Sequence, residues 1–293
     1  MTANIIDGKA IAKQVRAQVA ADVAELLAAG RPRPGLAAVL VGENPASEVY
    51  VRMKRKACEK EGLESFGYTL PADASQEEVE KLVKELNADP KVNGILVQLP
   101  LPDHLDEEKI LNAISIEKDI DGFHPINIGR LAQKGRKSLF VPCTPDGVLY
   151  LIDQTGFELR GANAVVLGRS NIVGMPVALL LVKRDATVTI CHSRTQDLPG
   201  VCSQADVLIA AVGRPEMVRK DWVKPGAVVI DVGTNRVDDP TREKGYRLVG
   251  DVAFDEVKEV AGWISPSPGG VGPMTIAMLL RNTVKGAKIQ AGL

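Results

Sequence analysis

Cysteine, histidine and aromatic residues are all scarce in this chain of 293 residues. Its four cysteines, Cys58, Cys143, Cys191 and Cys202, include no C-x-x-C pair, and its only histidines are His104, His124 and His192. Neither a disulfide framework nor a metal cluster is expected from so few ligands, and a reducing compartment fits. Aromatic residues make up 4% of the chain, so stacking surfaces are few and each tyrosine carries weight. The formal net charge of -1 excludes a nucleic-acid binder that relies on bulk positive charge. No run approaches the roughly 18 apolar residues of a membrane span. The opening "MTANIIDGKAIAKQV" has no apolar signal core, so a cytoplasmic protein is expected. The G-x-G-x-x-G dinucleotide fingerprint is missing as well.

What is present is ordinary for a globular chain, with 45% hydrophobic and 25% charged residues. Helix and strand patterns alternate almost from end to end. Ile11, Val15, Val19, Val23, Leu26 and Leu27 recur at helical spacing between Lys9 and Ala29, and Gly30 follows as a stop. "LAAVLVG" reads as a buried strand, Ser47 as the N-cap of a helix through Lys60, "ESFGYTL" as the next strand. A helix from Ser75 to Ala88 and the strand "GILVQLPLP" follow. This alternation predicts a mostly parallel sheet covered by helices. Asp103 to Val141 is rich in Asp, Gly, Pro and Asn and reads as a long functional loop region. A helix resumes with Thr144 as N-cap, Pro145 at its first position and Gly156 as its stop. Short apolar strands then recur at Ala164 to Gly168, Ala186 to Cys191, Asp206 to Val212 and Ala227 to Val232, with a further one at Arg247 to Val249. A glycine-proline loop and one amphipathic helix end the chain.

"VVLGRSNIVGMP", Val165 to Pro176, runs from a strand through a glycine into a helix. Gly168 and Gly174 are separated by five residues, so this is either a plain turn or a cofactor loop of another kind. A phosphate at a helix N-terminus needs close backbone approach, free N–H groups and preferably a cation or hydroxyl, and Arg169 and Ser170 supply both. An NAD site carries an acidic residue roughly 20 positions after its glycine loop. Here the next strand ends in His192-Ser193-Arg194-Thr195, with no carboxylate. Hydroxyls and a cation at that place suit a 2′-phosphate, so NADP rather than NAD is expected.

"SEVYVRMKRKACEK" sets Tyr50 and Lys54 at i and i+4, on one helical face, while Arg52, Arg55 and Lys56 point elsewhere. The pair is either part of a solvated basic helix or a catalytic amine with a tyrosine lining the substrate slot. Gln98 closes its strand at the carboxyl end, where open α/β sheets place ligands. Asp119 and Asp121 sit in a glycine-flanked turn, which turn chemistry alone would explain.

Six stretches, "SEVYVRMK", "GILVQLPLP", "KDIDGFHP", "PCTP", "GRSNIVGMP" and "SPSPGGVGPMT", occur in this order over nearly the whole chain. Together they resemble the bifunctional methylenetetrahydrofolate dehydrogenase/methenyltetrahydrofolate cyclohydrolases, the FolD family. The resemblance implies an α/β protein of two α/β domains with a substrate cleft between them. The folate-binding catalytic domain would cover residues 1–143, completed by the C-terminal helix 273–293. A Rossmann-type NADP-binding domain would cover 144–272. It further implies a homodimer joined through the NADP domains, with a folate substrate and a place in one-carbon metabolism that serves purine synthesis.

By the same resemblance Lys54 is the catalytic lysine, Tyr50 the tyrosine packed on the substrate, and Gln98 the glutamine bonded to the lysine. Asp121 matches the aspartate that binds the pterin ring. Gly168, Arg169 and Ser170 match the NADP loop, and Ser193, followed by Arg194, the phosphate side of the second strand. Thr234 in "DVGTNR" stands where many relatives carry isoleucine near the nicotinamide. Gly269, Gly270 and Pro273 match the loop that closes over the substrate, where only glycine allows such close backbone approach. The chemistry suits these residues. Hydride loss from the methylene carbon needs mainly positioning, whereas hydrolysis of the methenyl cation needs proton transfer. Three other readings share parts of the pattern. They are a dehydrogenase without cyclohydrolase activity, a silent NADP-binding sensor, and an enzyme like shikimate dehydrogenase. The Tyr50/Lys54 pair with Gln98 and Asp121 favours the bifunctional enzyme.

Overall fold

A computed structural model describes residues 2–293. The chain opens with strand β1 (Asn4–Ile5), helix α1 (Gly8–Ala28), β2 (Gly35–Val41) and α2 (Pro45–Lys60). It continues with β3 (Glu64–Leu70), α3 (Gln76–Ala88), β4 (Gly94–Val97), α4 (Glu107–Asn112) and α5 (Pro125–Ala132). Next come α6 (Cys143–Asp153), β5 (Asn163–Leu167), α7 (Gly174–Lys183), β6 (Thr187–Cys191), α8 (Leu198–Cys202) and β7 (Val207–Ala210). A short 3-10 turn, Lys220–Trp222, precedes β8 (Val228–Asp231), β9 (Asn235–Asp238) and β10 (Tyr246–Val249). The chain finishes with α9 (Phe254–Val257), β11 (Trp263–Ile264) and α10 (Val271–Gln290).

Two compact units share these elements. One holds Lys13–Cys143 and Ile276–Leu293; the other holds the chain through Ala12 with Thr144–Thr275. In the first, a three-stranded parallel sheet has the order β3-β2-β4. Every residue of "GLAAVLV" in the central β2 is buried, as a strand covered on both faces requires. Val39, Val41, Val79, Val83, Ile95 and Ile110 lie at the heart of its core. Helix α3 starts at a capping box in which Ser75 and Glu78 satisfy each other's backbone N–H.

The second unit is a six-stranded, wholly parallel sheet of order β1-β11-β8-β7-β5-β6. The strands from β5 onward run outward first through β6 and then, after a reversal, through β7, β8 and β11. That is the doubly wound, Rossmann-type arrangement. Its core gathers Val165, Leu167, Leu208, Val229, Val252 and Ile264.

The structure departs from the sequence-based expectations in several places. The expected division puts the chain's first residues in the catalytic half, whereas β1 pairs in parallel with β11 and extends the other sheet. An edge strand as short as β11 leaves backbone groups open, and β1 takes them up. Helix α2 begins at Pro45, before Ser47. Asn44 is the cap, its Oδ1 accepting the Ser47 N–H at 3.2 Å, and Ser47 is buried inside the first turn. Helix α6 already includes Cys143, so Thr144 is not its N-cap. The Thr144 hydroxyl instead meets that of Thr275 at 2.9 Å. The irregular region from Asp103 holds two short helices, α4 and α5. Strand β10 leaves the parallel set and forms an antiparallel pair with β9, because the intervening turn folds back with Asp239 N–H donating to the Gly245 carbonyl.

Within the first unit α10 fastens the loop that carries Asp121. Buried Asn282 donates through Nδ2 to the carbonyls of Ile120 (2.8 Å) and Val141 (3.2 Å). Asn282→Ala should therefore lower the unfolding free energy by about 1–3 kcal/mol, chiefly through the Val141 carbonyl, because the Cys143 thiol also donates to that of Ile120 at 3.3 Å. Urea denaturation measures this; an unchanged midpoint and slope would show that α10 does not fasten this loop.

Candidate active site

Helix α2 carries the basic pair seen in the sequence, and burial separates the two residues. Lys54 is 7% exposed, whereas Tyr50, one turn earlier, is 45% exposed. Val49 and Met53 are also open to solvent on this helix, so its exposed side is more apolar than a plain basic helix would be. Arg55 lies across Gly67 of β3, where a Cβ would come 2.6 Å from its Nη1.

The Lys54 Nζ donates to Gln98 Oε1 at 3.0 Å. Gln98 follows β4 directly. Its backbone N–H still bonds the Val39 carbonyl at 2.9 Å, and its Nε2 donates to the Leu99 carbonyl at 2.7 Å. Since the amide nitrogen is committed to Leu99, the oxygen is the atom that faces Lys54. A strand end thus sets the acceptor that holds the lysine head.

The two aspartates of "KDIDGF" have different work. Asp119 is buried and accepts from the N–H groups of Phe123 (3.2 Å) and His124 (2.9 Å) and from Asn127 Nδ2 (2.7 Å). Burial pushes its carboxyl up to about 6, against the pull of those donors. Asn127 in turn accepts from Leu139 and Phe140 N–H, so Asp119 shapes the loop. Asp121 is half-buried. Burial raises its carboxyl above the ordinary range, while the Lys54 charge and a hydrogen bond from the Cys143 thiol draw it back down. Lys54, Gln98 and Asp121 are therefore brought together, and Tyr50 stands one helical turn from Lys54. The arrangement offers a buried amine, a fixed acceptor and a carboxylate, which together can hold and move a proton.

In the second unit the crest of the sheet is built around Gly168. Its φ is +121°, and a Cβ there would overlap the Ala211 carbonyl oxygen. Gly174 is equally tight, its missing Cβ facing the Gly168 carbonyl. Ser170 Oγ accepts the N–H groups of Val173 (3.2 Å) and Gly174 (3.3 Å), closing the turn into α7. Arg169 is exposed beside it. After β6 a tight turn, with the His192 N–H on Thr195 Oγ1 at 2.9 Å, leaves Ser193 and Arg194 exposed. Thr234 is exposed between Gly233 and Asn235, and Ser267 Oγ donates to the Gly233 carbonyl at 2.5 Å. Gly269 and Gly270 are buried after a cis Ser267–Pro268 bond, and Pro273 lies in the first turn of α10. Room for backbone approach at two glycines, with two exposed arginines, fits a dinucleotide's phosphates.

Sequence reasoning missed Asp231 and Asp251, both buried in this crest. Asp231 accepts the N–H groups of Gly233 (3.0 Å), Asp251 (2.9 Å) and Val252 (3.0 Å). Burial, with the Asp251 charge adding to it, pushes Asp231 up to about 7. The sequence did carry a signal, an acidic residue closing the apolar run "AVVID".

Comparison with known proteins places both halves. Residues 6–121 match the family described as tetrahydrofolate dehydrogenase/cyclohydrolase, catalytic domain. Residues 142–291 match tetrahydrofolate dehydrogenase/cyclohydrolase, NAD(P)-binding domain. The chain is 58% identical over 287 residues to Bifunctional protein FolD 2 of Arabidopsis thaliana, covering 98% of this chain and 96% of that protein. It is 58% identical over 288 residues to Bifunctional protein FolD of Moorella thermoacetica, covering 98% and 100%. Among solved structures, the Trypanosoma brucei N5,N10-methylenetetrahydrofolate dehydrogenase-cyclohydrolase, complexed with NADP cofactor and inhibitor, superposes with a TM-score of 0.96. It is 44% identical, and coverage is 100% of both chains.

Gly168→Ala should strain a left-handed backbone and force the Ala211 carbonyl aside. A loss of roughly 1–3 kcal/mol is expected from the backbone alone, with more from the overlap. Thermal unfolding of the variant reads it, and an unchanged transition would mean that the crest yields at no cost.

Proposed function

The chain belongs to the tetrahydrofolate dehydrogenase/cyclohydrolase family, and from that premise we propose how its own residues divide two consecutive reactions. In the first, methylenetetrahydrofolate is oxidised by NADP to the methenyl cation. In the second, water adds to that cation and the ring opens to formyltetrahydrofolate, with release of a proton. NADP, when bound, supplies the acceptor for the hydride. Gly168, Arg169, Ser170, Ser193 and Arg194 would hold it, the arginines meeting phosphate charge, and Thr234 would lie on the nicotinamide side. Gly269, Gly270 and Pro273 would form the loop over the substrate.

The observation that supports this reading best is the 3.0 Å bond from Lys54 to Gln98 beside Asp121. A silent NADP-binding protein has no use for a buried lysine held by an oriented amide. Asp121 would accept the N–H donors of the pterin edge and align the ring for both reactions, with Tyr50 packing on it. Gln98 would keep the lysine head in place. Lys54 would then shuttle the proton of the attacking water or of the opening ring, whereas hydride transfer asks the same residues only for alignment.

We further propose that the enzyme works as a homodimer in the cytoplasm, serving purine synthesis. Met175 and Val182, one and the same face of α7 apart by two turns, and Ile172 are exposed and would give pairing an apolar surface. All four cysteines are buried and none is joined in a disulfide, which suits a reducing compartment.

Two outcomes test these assignments. Lys54→Met should lower cyclohydrolase turnover roughly 100- to 10,000-fold and spare the dehydrogenase by comparison, so that methenyltetrahydrofolate builds up when both absorbances are followed. Equal or greater loss of the dehydrogenase in a folded variant would make Lys54 a substrate-positioning group. Replacing Arg169 and Arg194 by alanine should weaken NADP about 10- to 150-fold while NAD binding changes far less. A matched loss for both dinucleotides would remove the phosphate assignment.

A further inference from the structure

The sheet order β8-β7-β5-β6 places its reversal between β7 and β5, and ligands of such sheets bind in the crevice beyond those strand ends. Gly168 forms one lip of that crevice. The other lip is Ala211 to Arg214, whose carbonyl at Ala211 occupies the space that a Cβ on Gly168 would need. Three successive N–H groups of this second lip, from Val212 (2.6 Å), Gly213 (3.0 Å) and Arg214 (2.9 Å), all donate to the carboxylate of Asp251. A fourth donor is Asn235 Nδ2, at 2.9 Å, from the residue after Thr234. Asp251 is wholly buried, and its own N–H is held by Asp231. Asp231 in turn takes the Gly233 N–H, and its backbone N–H donates to Ser265 Oγ at 2.8 Å.

One carboxylate therefore ties together the loops that follow β7, β8 and β10. Without it, three adjacent N–H donors would have to find water or a ligand, and the lip would lose its single shape. Asp251 lies beneath the crest rather than on it, and none of the proposed chemistry uses it.

We propose that Asp251 is a positioning residue for NADP, holding the Ala211–Arg214 lip and the Thr234–Asn235 segment in the form that the dinucleotide requires. This rests on the dehydrogenase reading above. The cyclohydrolase reaction needs no NADP, so it supplies an internal control within one polypeptide.

Asp251→Asn keeps the size but turns an amide donor toward backbone donors, so at least one charge-assisted bond is lost and another contact becomes repulsive. The expected result is a rise of tenfold or more in the Kd for NADP, read by titration calorimetry. KM for NADP should rise in parallel, and hydrolysis of preformed methenyltetrahydrofolate without NADP should stay within about twofold. Hydrogen exchange at the Val212, Gly213 and Arg214 amides should quicken. Asn235→Leu, which removes one donor without touching the carboxylate, should raise the Kd by a smaller factor and decides the matter if Asp251→Asn does not fold. An unchanged NADP Kd in a folded Asp251→Asn, or in Asn235→Leu where that variant decides, overturns the proposal. So does an equal loss of NADP binding and NADP-free hydrolysis, which would make Asp251 a support of the whole fold. Wild-type protein that fails to bind NADP would instead overturn the dehydrogenase reading, and this proposal with it.

Discussion

Several loops in this protein present backbone N–H groups that have no ladder partner, and side-chain oxygens take them up. Asp119 does so for Phe123 and His124, Asp231 for Gly233, Asp251 and Val252, and Asp251 for Val212 to Arg214. Ser170 does the same on a smaller scale at the start of α7. A buried carboxylate is expensive to desolvate, and only several donors converging on it make the arrangement hold. These loops are consequently tied down where they leave the sheet.

That constraint explains why neighbouring acidic residues have opposite fates. Asp119 and Asp121 are two positions apart, so in the turn they leave in different directions. The first is consumed by three donors inside the protein. The second stays half-buried within the influence of Lys54. A carboxylate already saturated by backbone is spent on the fold, whereas the proposed pterin contact would need the one at Asp121. The same logic separates Asp251 from Arg169, Ser193 and Arg194, which project from the crest with exposed side chains.

Lys54 illustrates how the scaffold would prepare the proposed chemistry. Its stem is covered inside the unit while its head meets an amide whose orientation is dictated by a strand end. Tyr50, on the same helical face, keeps its ring open to solvent. Burial of the amine and exposure of the aromatic are what the proposed proton carrier and packing surface would respectively require, and a helix turn of 3.6 residues keeps the two side by side.

Much of this was legible from the chain alone, because local patterns have local causes. The fully apolar β2, the capping box at Ser75, the strand-glycine-helix passage at Gly168 and the lack of an acid after β6 all depend on residues close in sequence. So does the shared face of Tyr50 and Lys54. Six motifs in order point to the family from the sequence alone. What could not be read depends on partners far apart along the chain. The pairing of β1 with β11 joins residues about 260 positions apart, and Asn282 reaches loops at Ile120 and Val141. Asp251 is an ordinary acidic residue in sequence, and only the convergence of loops after three strands makes it a hub. Periodicity records which face of an element is buried, but hydrogen bonds between distant loops leave no periodic trace, so tertiary structure alone decides them.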